Sequence, residues 1–198
     1  MNTKSRKRDY QTKAGRERRH QILNATQDLL KVQKIKDVSL KDIARAADIP
    51  LSSIYNLFKN LDDIHVALVN ELWHDLLVFR SKYLRDSYQT FTEMVTHSTE
   101  VNLAFIQQND LVKKIIYSDE VPAAIKSADQ DMLVQHIRAF VSAHLPAAQL
   151  GELERTVETF RRTVVVFDAL VMDSISRHGT VPQEDQAEII SIMKRLSE

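Results

Sequence analysis

Val38-Ser39-Leu40-Lys41-Asp42-Ile43-Ala44-Arg45-Ala46-Ala47-Asp48-Ile49-Pro50-Leu51-Ser52-Ser53-Ile54-Tyr55-Asn56-Leu57-Phe58-Lys59-Asn60 is the stretch on which the fold turns. Ser39 stands before Leu40 with Asp42 three positions on, close to a capping box with Asp in place of Glu, so a helix is predicted to start there. Leu40, Ile43, Ala44 and Ala47 line one face of it, over about two turns. Asp48-Ile49-Pro50 stops that helix, because Asp tolerates the left-handed backbone of a tight turn and the residue before a proline is pushed toward extended geometry. Pro50 suits the first turn of the next helix, where its missing N–H costs nothing. Leu51, Ile54, Tyr55 and Phe58 continue that helix, and Lys59-Asn60 ends it. Upstream, Ile22, Ala25, Leu29, Leu30 and Val32 recur at helical spacing and predict a first amphipathic helix from Arg16 to about Ile35. Two short helices joined by a three- to four-residue turn behind such a helix have the proportions of a helix-turn-helix.

Composition agrees with an all-α fold. The chain has 198 residues but only three glycines and four prolines, where average usage of about 7% and 5% would supply roughly fourteen and ten. Strand-rich folds need the turns those residues make, so few, long helices with short connections are expected. The absence of cysteine excludes a disulfide scaffold, thiolate chemistry and cysteine-ligated zinc, and fits a reducing compartment. No run approaches the ~20 apolar residues of a membrane span, and the basic start is followed by no apolar stretch, so neither anchor nor signal peptide is expected and the expected location is cytoplasmic. The net charge of zero hides a segregation. Residues 1–65 hold 14 Lys/Arg against 8 Asp/Glu, a net of +6, and the remainder holds 13 against 19, a net of −6. In the first segment Lys4, Arg6, Lys7, Arg8, Lys13, Arg16, Arg18 and Arg19 oppose only Asp9 and Glu17. Charge alone leaves two readings of this tail open, a solvated segment and an electrostatic arm for nucleic acid.

The quoted stretch resembles the DNA-binding domain of the TetR family of transcriptional regulators, in Ser39 opening the second helix, the Ile43-Ala44 pair inside it, and Ser53-Ile54-Tyr55 with Phe58 in the third. The resemblance covers about residues 16 to 66. It implies a homodimeric regulator, most often a repressor, with an N-terminal three-helix reader of double-stranded DNA and a larger C-terminal helical domain that binds a small-molecule effector and dimerises. The expected organisation is a basic flexible arm at 1–15, a reader at 16–65 and a ligand-binding and dimerisation domain at 66–198. On matching positions, Arg45 is the candidate for a bidentate guanine contact, and Leu51, Ser52 and Ser53 open the recognition helix where side chains meet bases. Ser39, Lys41, Tyr55, Asn56 and Lys59 are the remaining DNA-binding candidates, with Ser39, Tyr55, Asn56 and Lys59 placed toward phosphates. The alternatives are a packed Tyr55 with its hydroxyl at the surface, and an Arg45 that is a solvated charge beside Asp42 or Asp48. This chain departs from the family pattern at Asp48, where Gly is usual, at Pro50, where a Ser-type cap is usual, and at Leu57 and Leu61, where His and Lys commonly reach phosphates. Asn56, Lys59 and the tail would take over those contacts.

Beyond the reader, a long helix is predicted from Leu61 to Leu84, started by Asp62 and Asp63. Further helices are predicted at about Tyr88–Gln107, Leu111–Tyr117, Pro122–His144, Ala147–Arg177 and Pro182–Leu196. In the fifth of these six helices Val157, Phe160, Val164, Phe167 and Val171 form one stripe, while Val165, Ala169 and Met172 extend apolar character to a second face, so burial on more than one side is required. With Ile189, Ile190, Ile192, Met193 and Leu196 on the last helix, the economical reading is a four-helix dimer interface built on Phe160, Val164, Phe167, Val171, Ile189, Ile192, Met193 and Leu196; the alternative is burial within one subunit. Trp73, His97, Phe105, Tyr117, His136 and Asp168 are the candidate effector-binding residues, each with an ordinary packing role as its alternative. A pocket there would be mostly aliphatic and suit a hydrophobic or amphipathic molecule. Glu71-Leu72-Trp73-His74 is an E-x-x-H unit of the kind used in di-iron bundles, but no second copy exists, so a carboxylate/His metal enzyme is the lesser reading and a helical adaptor without a DNA role a third. No catalytic or metal residues and no cofactor are assigned.

Overall fold

The computed structural model describes residues 12–117, 130–146 and 151–198; Lys4, Arg6, Lys7 and Arg8 of the basic arm and the expected helix starts at Pro122 and Ala147 lie outside them. Among the described residues there are nine α-helices, one 3-10 turn and no strand. They are α1 (Lys13–Val32), α2 (Leu40–Ala46), α3 (Leu51–Leu57), α4 (Leu61–Tyr83), α5 (Phe91–Gln108), α6 (Asp110–Ile115), α7 (Gln130–His144), α8 (Leu153–His178) and α9 (Gln183–Ser197), with the 3-10 turn at Ile35–Asp37. None is long and apolar enough to cross a membrane. Contacts divide the chain into two units: the described residues up to Leu72 together with 114–117, and residues 73–113 with the described residues from 130 onward.

The first unit is built on local signals. Thr12 caps α1 by accepting from the Gly15 N–H at 2.9 Å, and the helix begins at Lys13, three residues before the expected start at Arg16. At Ser39 the capping box forms in full: the Ser39 hydroxyl accepts from the Asp42 N–H at 3.3 Å and the Asp42 carboxylate accepts from the Ser39 N–H at 3.1 Å. The turn after α2 is a Schellman motif. The Ile49 N–H reaches the Ala44 carbonyl at 3.0 Å and the Asp48 N–H the Arg45 carbonyl at 3.2 Å, around Asp48 at φ 49°. Asp therefore makes the left-handed step that a glycine usually makes. Ile22, Leu23, Leu30, Ile43, Ile54, Ile64 and Leu68 are sealed from solvent in the core of this unit, each worth roughly 1.5–3 kcal/mol of burial. Polar contacts of long reach then fix α1. Gln21 donates to the Ala47 carbonyl at 2.6 Å, Arg19 and Gln27 donate to Glu71 at 3.4 and 3.3 Å, and Lys114 donates to the carbonyls of Leu30 and Lys31 at 2.6 and 3.0 Å. Lys114 thus satisfies carbonyls that the C-terminal turn of α1 leaves open.

In the second unit α9 packs on α5 and α8, and α8 packs on α7 and α5. Thr90 caps α5, so Tyr88, expected to open that helix, lies before it and is buried. Gly179, in the left-handed region at φ 71°, closes α8, and Pro182 precedes α9.

The structure places most of the dimer residues named from sequence inside this subunit. Phe160 is buried between Phe91 of α5 and Phe140 of α7, at ring separations of 6.2 and 5.9 Å. Phe167, Val171, Ile189 and Met193 are likewise buried in this chain's own core, and Val164 and Ile192 are half-buried. Of the eight, only Leu196 is open, at 45% exposure; the exposed apolar face of α8 is instead the second one, where Val165 is 54% exposed and Ala169 also faces solvent. The reason is that α8 has three helical neighbours in its own subunit, and they take the more continuous stripe.

Candidate nucleic-acid interface

Helices α2 and α3 sort their side chains by helical period. On α3, Ile54, Leu57 and the capping Phe58 are buried, while Ser52, Tyr55 and Asn56 are exposed at spacings of three and four residues, which places them on one outer face, and Lys59 is exposed just past the C-terminal end of the helix. Leu51 opens the helix half-buried. Tyr55 stands 47% exposed, so its ring is on the surface and not in the core. On α2, Ile43, Ala44 and Ala47 are buried while Lys41 and Arg45, one turn apart, are exposed.

Two of the expected contacts are engaged elsewhere. Ser53 is buried, 9% exposed, and its hydroxyl accepts from Arg18 of α1 at 3.4 Å, so it faces inward while Ser52 faces out. The Ser39 hydroxyl donates to Asp42 at 2.5 Å, and this hydrogen bond is the chief cause holding the Asp42 carboxyl below its ordinary value. Leu57, at a position where the resemblance implies a phosphate-contacting His, is a core residue. Leu61 is half-buried in the first turn of α4, ahead of Asp63, whose N–H meets the Asn60 side chain at 2.9 Å and whose carboxylate accepts from the Lys59 N–H at 2.8 Å.

Arg45 pairs with Asp42 at 3.3 Å, with 80% of its side chain in solvent. Exposed pairs of this kind are worth little, so the guanidinium can exchange Asp42 for a base edge at small cost. The outer face thus presents Arg45, Lys41, Ser52, Asn56 and Tyr55 on helices whose inner faces are locked, with Lys59 just past the end of α3. Such a face can accept phosphate and base-edge contacts. Sequence reasoning missed the groups that hold α1 against it, namely Gln21, Arg18, Glu71 and Lys114. Their partners lie 26 to 84 residues away, and no local pattern announces them.

The six candidate effector residues fall in two units. Tyr117 belongs to the first unit, and the others to the second. His136 is exposed on the outer face of α7, opposite the buried Ile137 and Val141. His97 meets the Tyr88 hydroxyl through Nδ1 at 2.8 Å, and Phe105 packs on Phe79 with centroids 5.4 Å apart. Trp73 is half-buried and its Nε1 has no hydrogen-bond partner; Asp168 is half-buried. Glu71 of the E-x-x-H unit is committed to Arg19 and Gln27.

No family model matches the chain, and no curated protein matches it. Solved structures do. The multidrug binding protein EbrR, complexed with imidazole, is 19% identical and superposes with a TM-score of 0.66 over 92% of this chain and 90% of its own. A TetR-family transcriptional regulator from Streptomyces coelicolor is 16% identical, with a TM-score of 0.66 over 90% of this chain and 96% of its own. A transcriptional regulator from Rhodococcus sp. Rha1 is 16% identical, with a TM-score of 0.67 over 90% and 95%. At these identities the likeness is one of fold: the chain has the helical architecture found in a TetR-family regulator.

Proposed function

We propose that this protein is a TetR-family transcriptional regulator of the cytoplasm, a homodimeric repressor that binds a pseudo-palindromic operator and is released by a small organic effector. The observation that carries the reading is the outer face of α2 and α3, where Lys41, Arg45, Ser52, Tyr55 and Asn56 stand exposed on a helix pair whose other side is core, with Lys59 exposed just past its end. Arg45 reads a guanine edge, Leu51 meets a thymine methyl, and Tyr55, Asn56 and Lys59 hold phosphates. Ser53 supports the helix from within. The basic arm supplies further phosphate contacts in place of those absent at Leu57 and Leu61.

Dimerisation uses the open face of α8 and α9, where Val165, Val166 and Leu196 line a groove with Arg161 and Arg162 at its edge. Glu158 accepts from both arginines, and those hydrogen bonds, with Arg161 first, hold its carboxyl down to about 2, so the charges are paired before a second copy arrives. Two such faces related by a twofold axis make a four-helix bundle and set half-sites about one helical turn, ~34 Å, or a multiple apart. An effector is in keeping with the multidrug binding described for one structural neighbour. Effector binding favours a conformer that no longer fits the operator, so effector and DNA weaken each other reciprocally.

The test is selection of bound fragments from genomic DNA, followed by titration of an enriched fragment against salt. If each subunit neutralises about four phosphates, the log-log slope is near −7, from roughly −0.9 per contact. Removal of residues 1–13 should flatten that slope. No fragment enriched above nonspecific binding at physiological salt would sink the reading.

A further inference from the structure

Among the described residues of the second unit, Arg80 is a cation with no carboxylate partner that is also withdrawn from solvent, whereas the unpaired Lys82, Lys194 and Arg195 are exposed. It lies on α4, half-buried, with its guanidinium over the Phe140 ring at 4.8 Å from the centroid. Among the described residues no carboxylate reaches it, and the groups that face its charge are the Phe140 ring and Tyr88. Burial pushes its pKa down from the ordinary value. Elsewhere the chain behaves differently, since Arg45, Arg85, Arg138, Arg161 and Arg177 all pair with a carboxylate at the surface, where pairing matters least. A desolvated cation without a partner is costly and persists where something outside the fold completes it.

A second, independent observation lies in the same unit. Trp73 Nε1, Ser98 Oγ and Asn102 Oδ1 are buried without hydrogen-bond partners, three of the four such atoms among the described residues. Trp73 and Arg80 are seven residues apart on α4 and so share a face two turns long; Ser98, 3% exposed, and Asn102 are one turn apart on α5. The unit therefore holds an unmatched positive charge together with neutral donors and acceptors left unmatched.

We infer that Arg80 anchors the effector and that the effector is an organic monocarboxylate with an apolar body, its carboxylate accepting both N–H groups of one edge of the guanidinium while Phe140 holds the plane. A planar guanidinium fork matches a carboxylate in two parallel hydrogen bonds. One positive charge calls for one negative charge, which favours a carboxylate over a doubly charged phosphate. The inference rests on the regulator reading for the biological role of the ligand, and not for its binding.

Trp73 is the single tryptophan of the chain, so its emission reports on this unit directly. The full-length protein is titrated with phenylacetate, 3-phenylpropionate and decanoate, and with the three corresponding amides. Saturable changes are expected with at least one acid, and its amide should bind at least about tenfold more weakly, the scale of a charge-assisted hydrogen-bond pair. In Arg80→Met the acid-to-amide ratio should fall to near one. Arg80→Lys, which keeps the charge and loses the fork, should retain a preference for the acid at several-fold lower affinity, and serves if the Met variant does not fold. Equal binding of acid and amide, no saturable response to any of the three acids, or an unchanged ratio in a folded Arg80→Met overturns the inference. The same ligands are added to the complex with an enriched DNA fragment. Acids that bind through Arg80 without weakening DNA binding, or the absence of any enriched fragment, break the regulator reading and leave the carboxylate site standing. Intact DNA binding with no response to the acids does the reverse.

Discussion

Helix α3 and helix α8 are both amphipathic, yet they differ in what their sequence can say. On α3, seven residues long, one face is core and the other is polar, so whatever is exposed and polar is available for a partner. On α8, 26 residues long, two faces are apolar, and apolar character alone does not distinguish a neighbour in the same chain from one in a second copy. The difference lies in where specificity is stored. A polar interface is marked by residues that a core would reject, whereas an apolar interface is written in the same residues as the core beneath it.

The largest expected effect tests that contrast within α8. Phe160→Ala should cost about 3–5 kcal/mol in urea unfolding, because Phe160 is enclosed by Phe91 and Phe140, whereas Val165→Glu should leave subunit stability within about 0.5 kcal/mol. The exposed substitution should act on assembly instead. Val165→Glu with Leu196→Glu is expected to reduce the mass in sedimentation from twice 22.8 kDa to 22.8 kDa, and equal destabilisation by the inner and outer substitutions would abolish the distinction between the faces.

Next in size is the reader. Arg45→Ala should weaken operator binding about ten- to hundredfold and relax discrimination at one base pair, measured by competition among operator variants. Uniform loss across all variants would assign Arg45 to the phosphates. Ser39→Ala should cost about 1 kcal/mol of reader stability through loss of the α2 cap, and a loss confined to DNA affinity would instead make Ser39 a phosphate contact.

What was legible in the sequence was local. Ser39 with Asp42, and Asp48-Ile49-Pro50, each encode their structure within four residues, so both the start of α2 and its left-handed exit could be read directly. Ser53 could not, because its inward orientation involves Arg18, 35 residues away. The same limit explains Phe160, whose partners lie on α5 and α7, and Arg80, whose significance is that no carboxylate among the described residues meets it. An apolar stripe identifies burial but not the partner that buries it.

The smallest expected effect is one of pH. His65 is buried in the core of the first unit with Nε2 unpartnered, and burial lowers its pKa below 6.5, outweighing the nearby Asp62. The unfolded chain takes up that proton more readily, so the stability of the neutral form is complete above pH 6.5 and declines as pH falls below it. Urea midpoints at pH 7.5 and 5.0 should therefore separate more in the native protein than in His65→Leu. Equal separations would remove His65 from the acid response of that unit.

The hydrogen bonds from Lys114 to the carbonyls of Leu30 and Lys31 span 84 and 83 residues, and this has a consequence for synthesis. The C-terminal end of α1 leaves the ribosome well before the ammonium that satisfies it. During translation those carbonyls are therefore left to water until a segment made after the whole of α5 arrives. The same staple bears on chimeras. The helices up to Leu72, grafted onto another chain by a single cut in α4, would leave those carbonyls without the lysine, so a faithful transplant carries two pieces of chain.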